Sequence, residues 1–145
     1  MLEPECQRHQ VALTLLAPQP VPVQAERVAV EQIVHNLVTN ALQAMEAVPQ
    51  SQRQLTVAVE AIEQNGQNRG VLRVQDTGPG IAPEALPHVF APFFSTREGG
   101  LGLGLSLCET LAHDMGGQLL AHARAPQGAE FVLQLPLATA PIDTP

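Results

Sequence analysis

The sequence contains no lysine, no tryptophan and no tyrosine. Its seven basic residues are all arginine, set against fourteen acidic ones for a formal charge of −7. Each absence excludes a chemistry. A Walker-type phosphate loop puts a Lys on the β/γ-phosphates. Protein kinases of the Ser/Thr/Tyr type use a strand Lys, and pyridoxal enzymes need a Schiff-base Lys. None of the three can operate here. A shortage of cations also makes the chain a poor partner for nucleic acid, where affinity rests on basic groups displacing counterions. The two cysteines, Cys6 and Cys108, have no metal-ligand spacing and no His at finger spacing. They read as reduced, buried or idle thiols, as in a cytosolic setting. No signal-peptide pattern opens the chain, and the one long uncharged stretch, 10–25, is broken by Pro18, Pro20 and Pro22, so it is no spanning helix. A soluble domain is expected.

What remains is enough for a core. The chain has 145 residues, of which 45% are hydrophobic, and at this length one domain can bury roughly two-thirds of its unfolded surface. Residues 1–9 read as a polar lead-in and 11–16 as a short strand ended by the prolines. Val30, Ile33, Val34, Leu37, Val38, Ala41, Leu42 and Met45 recur at spacings of three and four, predicting a helix over 25–47 that Pro49 ends. Residues 55–62 alternate as a half-buried strand, 65–70 read as a turn and 71–74 as the returning strand. Between Gly78 and Gly104 lie six of the eleven glycines and three of the four phenylalanines, a loop length that points to function or mobility. A helix over 102–115 follows, capped by Gly116 and Gly117. Strands over 118–123 and 130–135, joined by Pro126-Gln127-Gly128, complete the pattern. Hairpins with separate helices predict an α+β layer structure rather than regular βαβ alternation.

Four groups of residues carry chemistry. On the long helix Gln32, Asn36, Asn40 and Gln43 fall at spacings of four, four and three, forming one polar ladder. It is either the wet face of an amphipathic helix or a pair of carboxamides holding a metal and polar ligand atoms. Asn has low helix propensity, so two in mid-helix ask for a reason. Asp76-Thr77-Gly78-Pro79-Gly80 follows an apolar strand; it is an ordinary turn, or a carboxylate in a crevice with the backbone passing close to a ligand. The run from Gly99 to Leu105 leads into a helix, and bare backbone amides there can hold phosphate without a lysine. No strand precedes it, so it is not a dinucleotide fingerprint. Finally, Phe90-Ala91-Pro92-Phe93-Phe94-Ser95-Thr96-Arg97 places aromatic anchors before the glycines. Arg97 is the only cation between Arg73 and Arg124, a candidate for neutralising a phosphate if it is more than a solvated neighbour of a small apolar cluster.

In this order and separation, Asn36 and Asn40, Asp76-x-Gly-x-Gly, Phe90-x-Pro-Phe and Gly100-Leu-Gly-Leu-Gly-Leu resemble the N, G1, F and G2 boxes of a histidine-kinase catalytic domain. This is the Bergerat nucleotide-binding fold, shared with gyrase, the ninety-kilodalton heat-shock chaperone and mismatch-repair ATPases. The resemblance spans about residues 11–137. Segments 31–45 and 90–106 are most similar to sensor kinases of the nitrogen-regulation and dicarboxylate-sensing type. It implies a two-layer α/β sandwich with a mixed, mostly antiparallel sheet and about three helices on one face. The implied limits are a lead-in over 1–9, an ATP-binding catalytic domain over 10–137 and a flexible tail over 138–145.

The resemblance further implies that Asn36 ligates Mg²⁺ bridging the phosphates of ATP, with Asn40 beside it on phosphate or ribose. Asp76 accepts the adenine amino group, Gly78 and Gly80 turn the chain beneath the base, and Ile81 packs on the ring. Phe93, Thr96, Arg97, Gly100, Leu101, Gly102, Leu103, Gly104 and Leu105 form the lid and its phosphate-binding amides. Gln32, Asn36 and Arg97 are the candidates for acting on the transferred phosphoryl group. Magnesium suits such a site because it keeps several waters and leans on substrate phosphates. Two departures stand out. Gln32 occupies the turn before Asn36 where the ATPase branch has a water-activating Glu, so hydrolysis should be slow. Ala129 follows Gly128 where relatives often have Thr.

The resemblance also calls for a phosphoacceptor His followed by an acid and then Pro. Of the five histidines only His113 precedes an acid, and Met115-Gly116-Gly117 ends its helix without a Pro. The chain is therefore expected to be the catalytic part alone. It would bind nucleotide without phosphorylating itself, and would act on a dimerisation and phosphotransfer domain and, through that, a response regulator. The expected location is cytoplasmic, with a parent protein that is membrane-anchored or free. An anti-sigma-type serine kinase or a nucleotide-dependent interaction module of the same fold is the alternative.

Overall fold

A computed structural model of the chain describes residues 2–17, 21, 23, 25–91, 104–125 and 127–137. The elements run α1 (Leu2–Arg8), β1 (Ala12–Leu16), α2 (Arg27–Ala44), β2 (Gln54–Gln64), β3 (Gln67–Asp76), α3 (Gly104–Asp114), β4 (Gln118–Ala123) and β5 (Ala129–Pro136), with single 3₁₀ turns at Met45–Ala47, Gln50–Gln52 and Leu86–His88. The five strands form one sheet in the order β1-β2-β3-β5-β4. Only β1 and β2 pair in parallel; the other three seams are antiparallel. This is the expected mixed, mostly antiparallel α+β arrangement with three helices.

The apolar stripe on α2 became its buried face: Ile33, Leu37, Val38, Ala41 and Leu42 are all inside. They meet Cys108 and Ala112 of α3 and the inward side chains Leu55, Val57, Val74, Leu119, Phe131, Leu133 and Leu135. Glu26 starts α2, its carboxylate accepting from the Ala29 amide at 3.0 Å, which satisfies one of the donors left open at a helix start. Gly116, at φ +80°, ends α3 as expected, with the Gly117 amide returning to Ala112 O at 2.9 Å. Because Leu37 is fully buried, Leu37→Ala should destabilise the chain by about 2–5 kcal/mol. Urea denaturation reads this directly, and a loss below 1 kcal/mol would contradict the packing described.

Two local details go beyond the sequence expectations. Within the polar lead-in read over 1–9, a helix not named there, α1, forms over Leu2–Arg8, and Cys6 enters the core at 2% exposure. The segment 65–70 is not all turn. Asn65 (φ +53°) and Gly66 (φ +78°) alone reverse the chain, as in a two-residue hairpin with both central φ positive. Pairing resumes at Gln64↔Gln67, so β3 takes up Gln67 to Gly70. The polar side chains of Gln67, Asn68 and Arg69 carry no alternation to reveal a strand, and Gly70, though buried, has no side chain to mark one. The expected tail, 138–145, lies outside the described residues.

Candidate functional site

A cavity of about 660 Å³ opens between α2, the end of β3, the segment after it, and the start of α3. Its size is in the range of small-molecule sites, roughly 300–1,000 Å³. α2 contributes Asn36, Thr39, Asn40 and Gln43, so most of the polar ladder faces a cavity instead of bulk water. Asp76 and Phe131 come from the sheet, Gly80 and Ile81 from the following segment, and Gly104 and Leu105 from α3. Gln32 is exposed and is not among the lining residues. Its neighbour Glu31 is also exposed and engages Arg27, one turn back, at 3.2 Å. Gly78 is buried beneath Asp76 and donates to it without lining the cavity. Phe93, Thr96, Arg97, Gly100, Leu101, Gly102 and Leu103 lie outside the described residues.

Asp76 is the most constrained polar group. It is 3% exposed, and its Oδ1 accepts from the Gly78 amide at 2.9 Å and the Ala129 amide at 3.3 Å. Its second oxygen, Oδ2, has no hydrogen-bond donor among the described residues. Buried polar atoms are nearly always paired, so an open acceptor facing a cavity fits a ligand N–H. Burial pushes the Asp76 carboxyl above its ordinary value, against the opposing pull of the two amides and of Arg124. The β4–β5 turn fixes the backbone here. Arg124 Nη1 donates to Asp76 O at 2.8 Å, and Gln127 Nε2 donates to Thr77 O at 2.9 Å. From the other side Thr77 Oγ1 donates to Gln52 O at 2.6 Å and accepts from the Gln54 amide at 2.9 Å.

Gly80 sits at φ +89°, and a Cβ on it would come within 3.0 Å of Gly128 O. Only glycine combines that dihedral with that approach. Phe90, from the start of the aromatic segment, packs edge-on against Phe131 with ring centroids 6.2 Å apart at 75°, an arrangement favoured by the ring quadrupoles. Asn36 points its Nδ2 at Cys108 Sγ, 3.4 Å away on α3. No Lys, Arg or His lines the cavity among the described residues, nor does any cluster of three His, Cys, Asp or Glu exist there to hold a metal unaided.

Arg124, Gln127 and the Ala129 amide escaped the sequence reading, which took 126–128 as a simple connection. Arg124 and Gln127 donate from their side chains to main-chain carbonyls and Ala129 donates its amide, across a turn that closes on residues about 50 positions earlier. The one available signal was the glycine at 128, whose φ of +113° and contact with Asp76 explain it.

The model of the histidine kinase-, DNA gyrase B-, and HSP90-like ATPase family matches residues 25–139. The chain is 34% identical over 131 residues to the sensor protein TdiS of Thauera aromatica, covering 90% of this chain and 24% of that protein. It is 33% identical over 135 residues to the C4-dicarboxylate transport sensor protein DctS of Rhodobacter capsulatus, covering 92% and 20% respectively. Among solved structures it resembles full-length ShkA in complex with AMPPNP, with a TM-score of 0.79 at 32% identity, over 96% of this chain and 28% of that one. It also resembles the nucleotide-free catalytic domain of the histidine kinase ThkA, with a TM-score of 0.77 at 27% identity, over 93% and 86%. The chain thus spans about a quarter or less of the length of these curated sensors. With a family match across most of its length and a fold in common with kinase catalytic domains, the chain belongs to the histidine kinase-, DNA gyrase B-, and HSP90-like ATPase family, as an ATP-binding domain of the sensor histidine kinase kind.

Proposed function

We propose that this domain, over residues 10–137, binds Mg²⁺·ATP in the cavity beside α2 and presents the γ-phosphate to a histidine on a separate dimerisation domain, from which a response regulator is then served. The observation that carries the reading is the open oxygen of Asp76, buried at the base of the cavity. Adenine offers an amino N–H there, and Ile81 supplies an apolar face beside it. Asn36 lines the cavity, and with its Nδ2 engaged by Cys108 its Oδ1 is left as the oxygen that would ligate the metal. Asn40, one turn further along α2, is placed for the phosphates or ribose. A single protein oxygen is enough, since Mg²⁺ commonly takes most of its ligands from water and substrate phosphates; bound there it would neutralise charge developing on the transferred group. The amides at the start of α3, around Gly104 and Leu105, would hold phosphate in place of the missing lysine. Arg97 is the proposed lid cation, and Gln32 supplies no general base, which favours phosphoryl transfer over hydrolysis. The proposed setting is a cytoplasmic domain; no described helix is long and apolar enough to cross a membrane.

Base selectivity tests the reading. Guanine carries a carbonyl oxygen where adenine carries the amino group, so it would set acceptor against acceptor at Asp76. Calorimetric titration of the chain with Mg²⁺·ADP and Mg²⁺·GDP should show saturable binding of the adenine nucleotide and loss of roughly 100-fold or more for the guanine nucleotide. Equal affinities would remove Asp76 from base recognition.

A further inference from the structure

We propose that Cys108 is a positioning residue: its buried sulfur fixes the carboxamide of Asn36 so that the oxygen, not the nitrogen, faces the metal position. The proposal rests on the reading of Asn36 as the Mg²⁺ ligand and adds what makes that ligand competent. An Asn side chain has two nearly isosteric ends, and only one can bind a cation. In mid-helix, nothing in the backbone selects between them. The selection comes from across the helix pair. Cys108 has no solvent exposure, and its Sγ receives Asn36 Nδ2 at 3.4 Å.

The placement is economical. Cys108 lies one turn beyond Gly104 on α3, so the helix whose start lines the cavity also holds the group that orients the ligand on α2. It belongs to the same buried apolar cluster as Ile33, Leu37 and Ala112. Among the described residues, Cys108 is the one partner of the Asn36 amide. Groups that orient a metal ligand from behind commonly change metal affinity by roughly 10- to 100-fold when removed.

The experiment uses the whole chain and reads the ratio of ADP affinity in Mg²⁺ to ADP affinity in EDTA, by calorimetry. Cys108→Val keeps the volume and burial but offers no acceptor; Cys108→Ser keeps an acceptor. The wild-type ratio should fall roughly 10-fold or more in Cys108→Val and return towards wild type in Cys108→Ser. The affinity in EDTA should stay unchanged in both. A purely structural role would weaken binding with and without metal together, leaving the ratio intact, and that outcome overturns the proposal. Asn36→Ala separates the two levels of inference. If it abolishes the Mg²⁺ effect while Cys108→Val retains it, the metal reading stands and the role of Cys108 is lost. If Asn36→Ala leaves the Mg²⁺ effect in place, the metal assignment fails, and the proposal with it.

Discussion

Asp76→Asn is expected to lower affinity for Mg²⁺·ATP by roughly 100-fold or more, while raising the melting temperature of the free chain at neutral pH. The two effects have opposite signs for one reason. Asn can still accept from Gly78 and Ala129 through its oxygen, but its NH₂ then occupies the place of the open carboxylate oxygen. In the proposed pose a donor there would face the adenine amino group, another donor, and both would lose their partner. In the free chain the same change removes a charge that burial disfavours. Burial holds the Asp76 carboxyl above its ordinary value of 3.8. The folded chain therefore keeps its proton to higher pH than the unfolded chain does, so stability is lost as pH rises from 3.8 through the folded value. Above that window the full penalty is present in the wild type and absent in the variant. Below 3.8 both states are protonated and the advantage of Asn disappears. Scanning calorimetry from pH 7 into the acid range checks the stability arm, and nucleotide titration the binding arm. Wild-type-like affinity would remove the adenine assignment; a lower melting point at pH 7 would show that the carboxylate's hydrogen bonds outweigh its desolvation.

The second large effect concerns Gly128. Gly128→Ala should cost about 3 kcal/mol or more, against about 1 kcal/mol for Gly66→Ala. Both glycines sit at positive φ, +113° and +78°, so both substitutions strain the backbone. Only one of them meets anything. A Cβ at Gly66 would have open space within 4 Å, whereas at Gly128 it would run into the carbonyl oxygen of Asp76. That oxygen also receives Arg124 Nη1, so it cannot retreat without breaking a charge-assisted hydrogen bond. Paired urea titrations measure the difference, and similar losses at the two glycines would mean that the seam is more compliant than its geometry indicates. Because the displaced atom belongs to Asp76, nucleotide affinity should fall in Gly128→Ala and remain at wild type in Gly66→Ala.

Long-period patterns made the main helices and most strands readable, because burial selects side chains at fixed intervals. Ile33, Leu37, Val38, Ala41 and Leu42 announced α2, and they are buried as the interval requires. The Asn36–Asn40 pair, Asp76 and Gly80 were each ambiguous alone and were joined only by their resemblance to the nucleotide-binding boxes; they line one cavity. What stayed hidden was chemistry done by the main chain or across the fold. The Ala129 amide on Asp76 has no side-chain signature. Gln67, Asn68 and Arg69 gave no strand pattern because their polar side chains are outside the core cluster, and Gly70 has no side chain to show one. α1 was hidden because seven residues hold too few turns to show a period, though Cys6 is buried on it.

The sheet order has a consequence for how the site comes into being. β2–β3 and β4–β5 are hairpins whose strands are near neighbours in sequence, while β3–β5 joins Val74 to Phe131 across the whole of α3. Closing that longer loop costs more chain entropy, so the two hairpins can form before the seam between them does. The Asp76 carboxylate draws one amide from its own turn and the other from β5. A chain with both hairpins made but the seam still open holds the Asp76 carboxylate by one amide instead of two. If Asp76 is the adenine acceptor proposed above, recognition of the base would be acquired only when this seam closes, and nucleotide would select for molecules that have closed it.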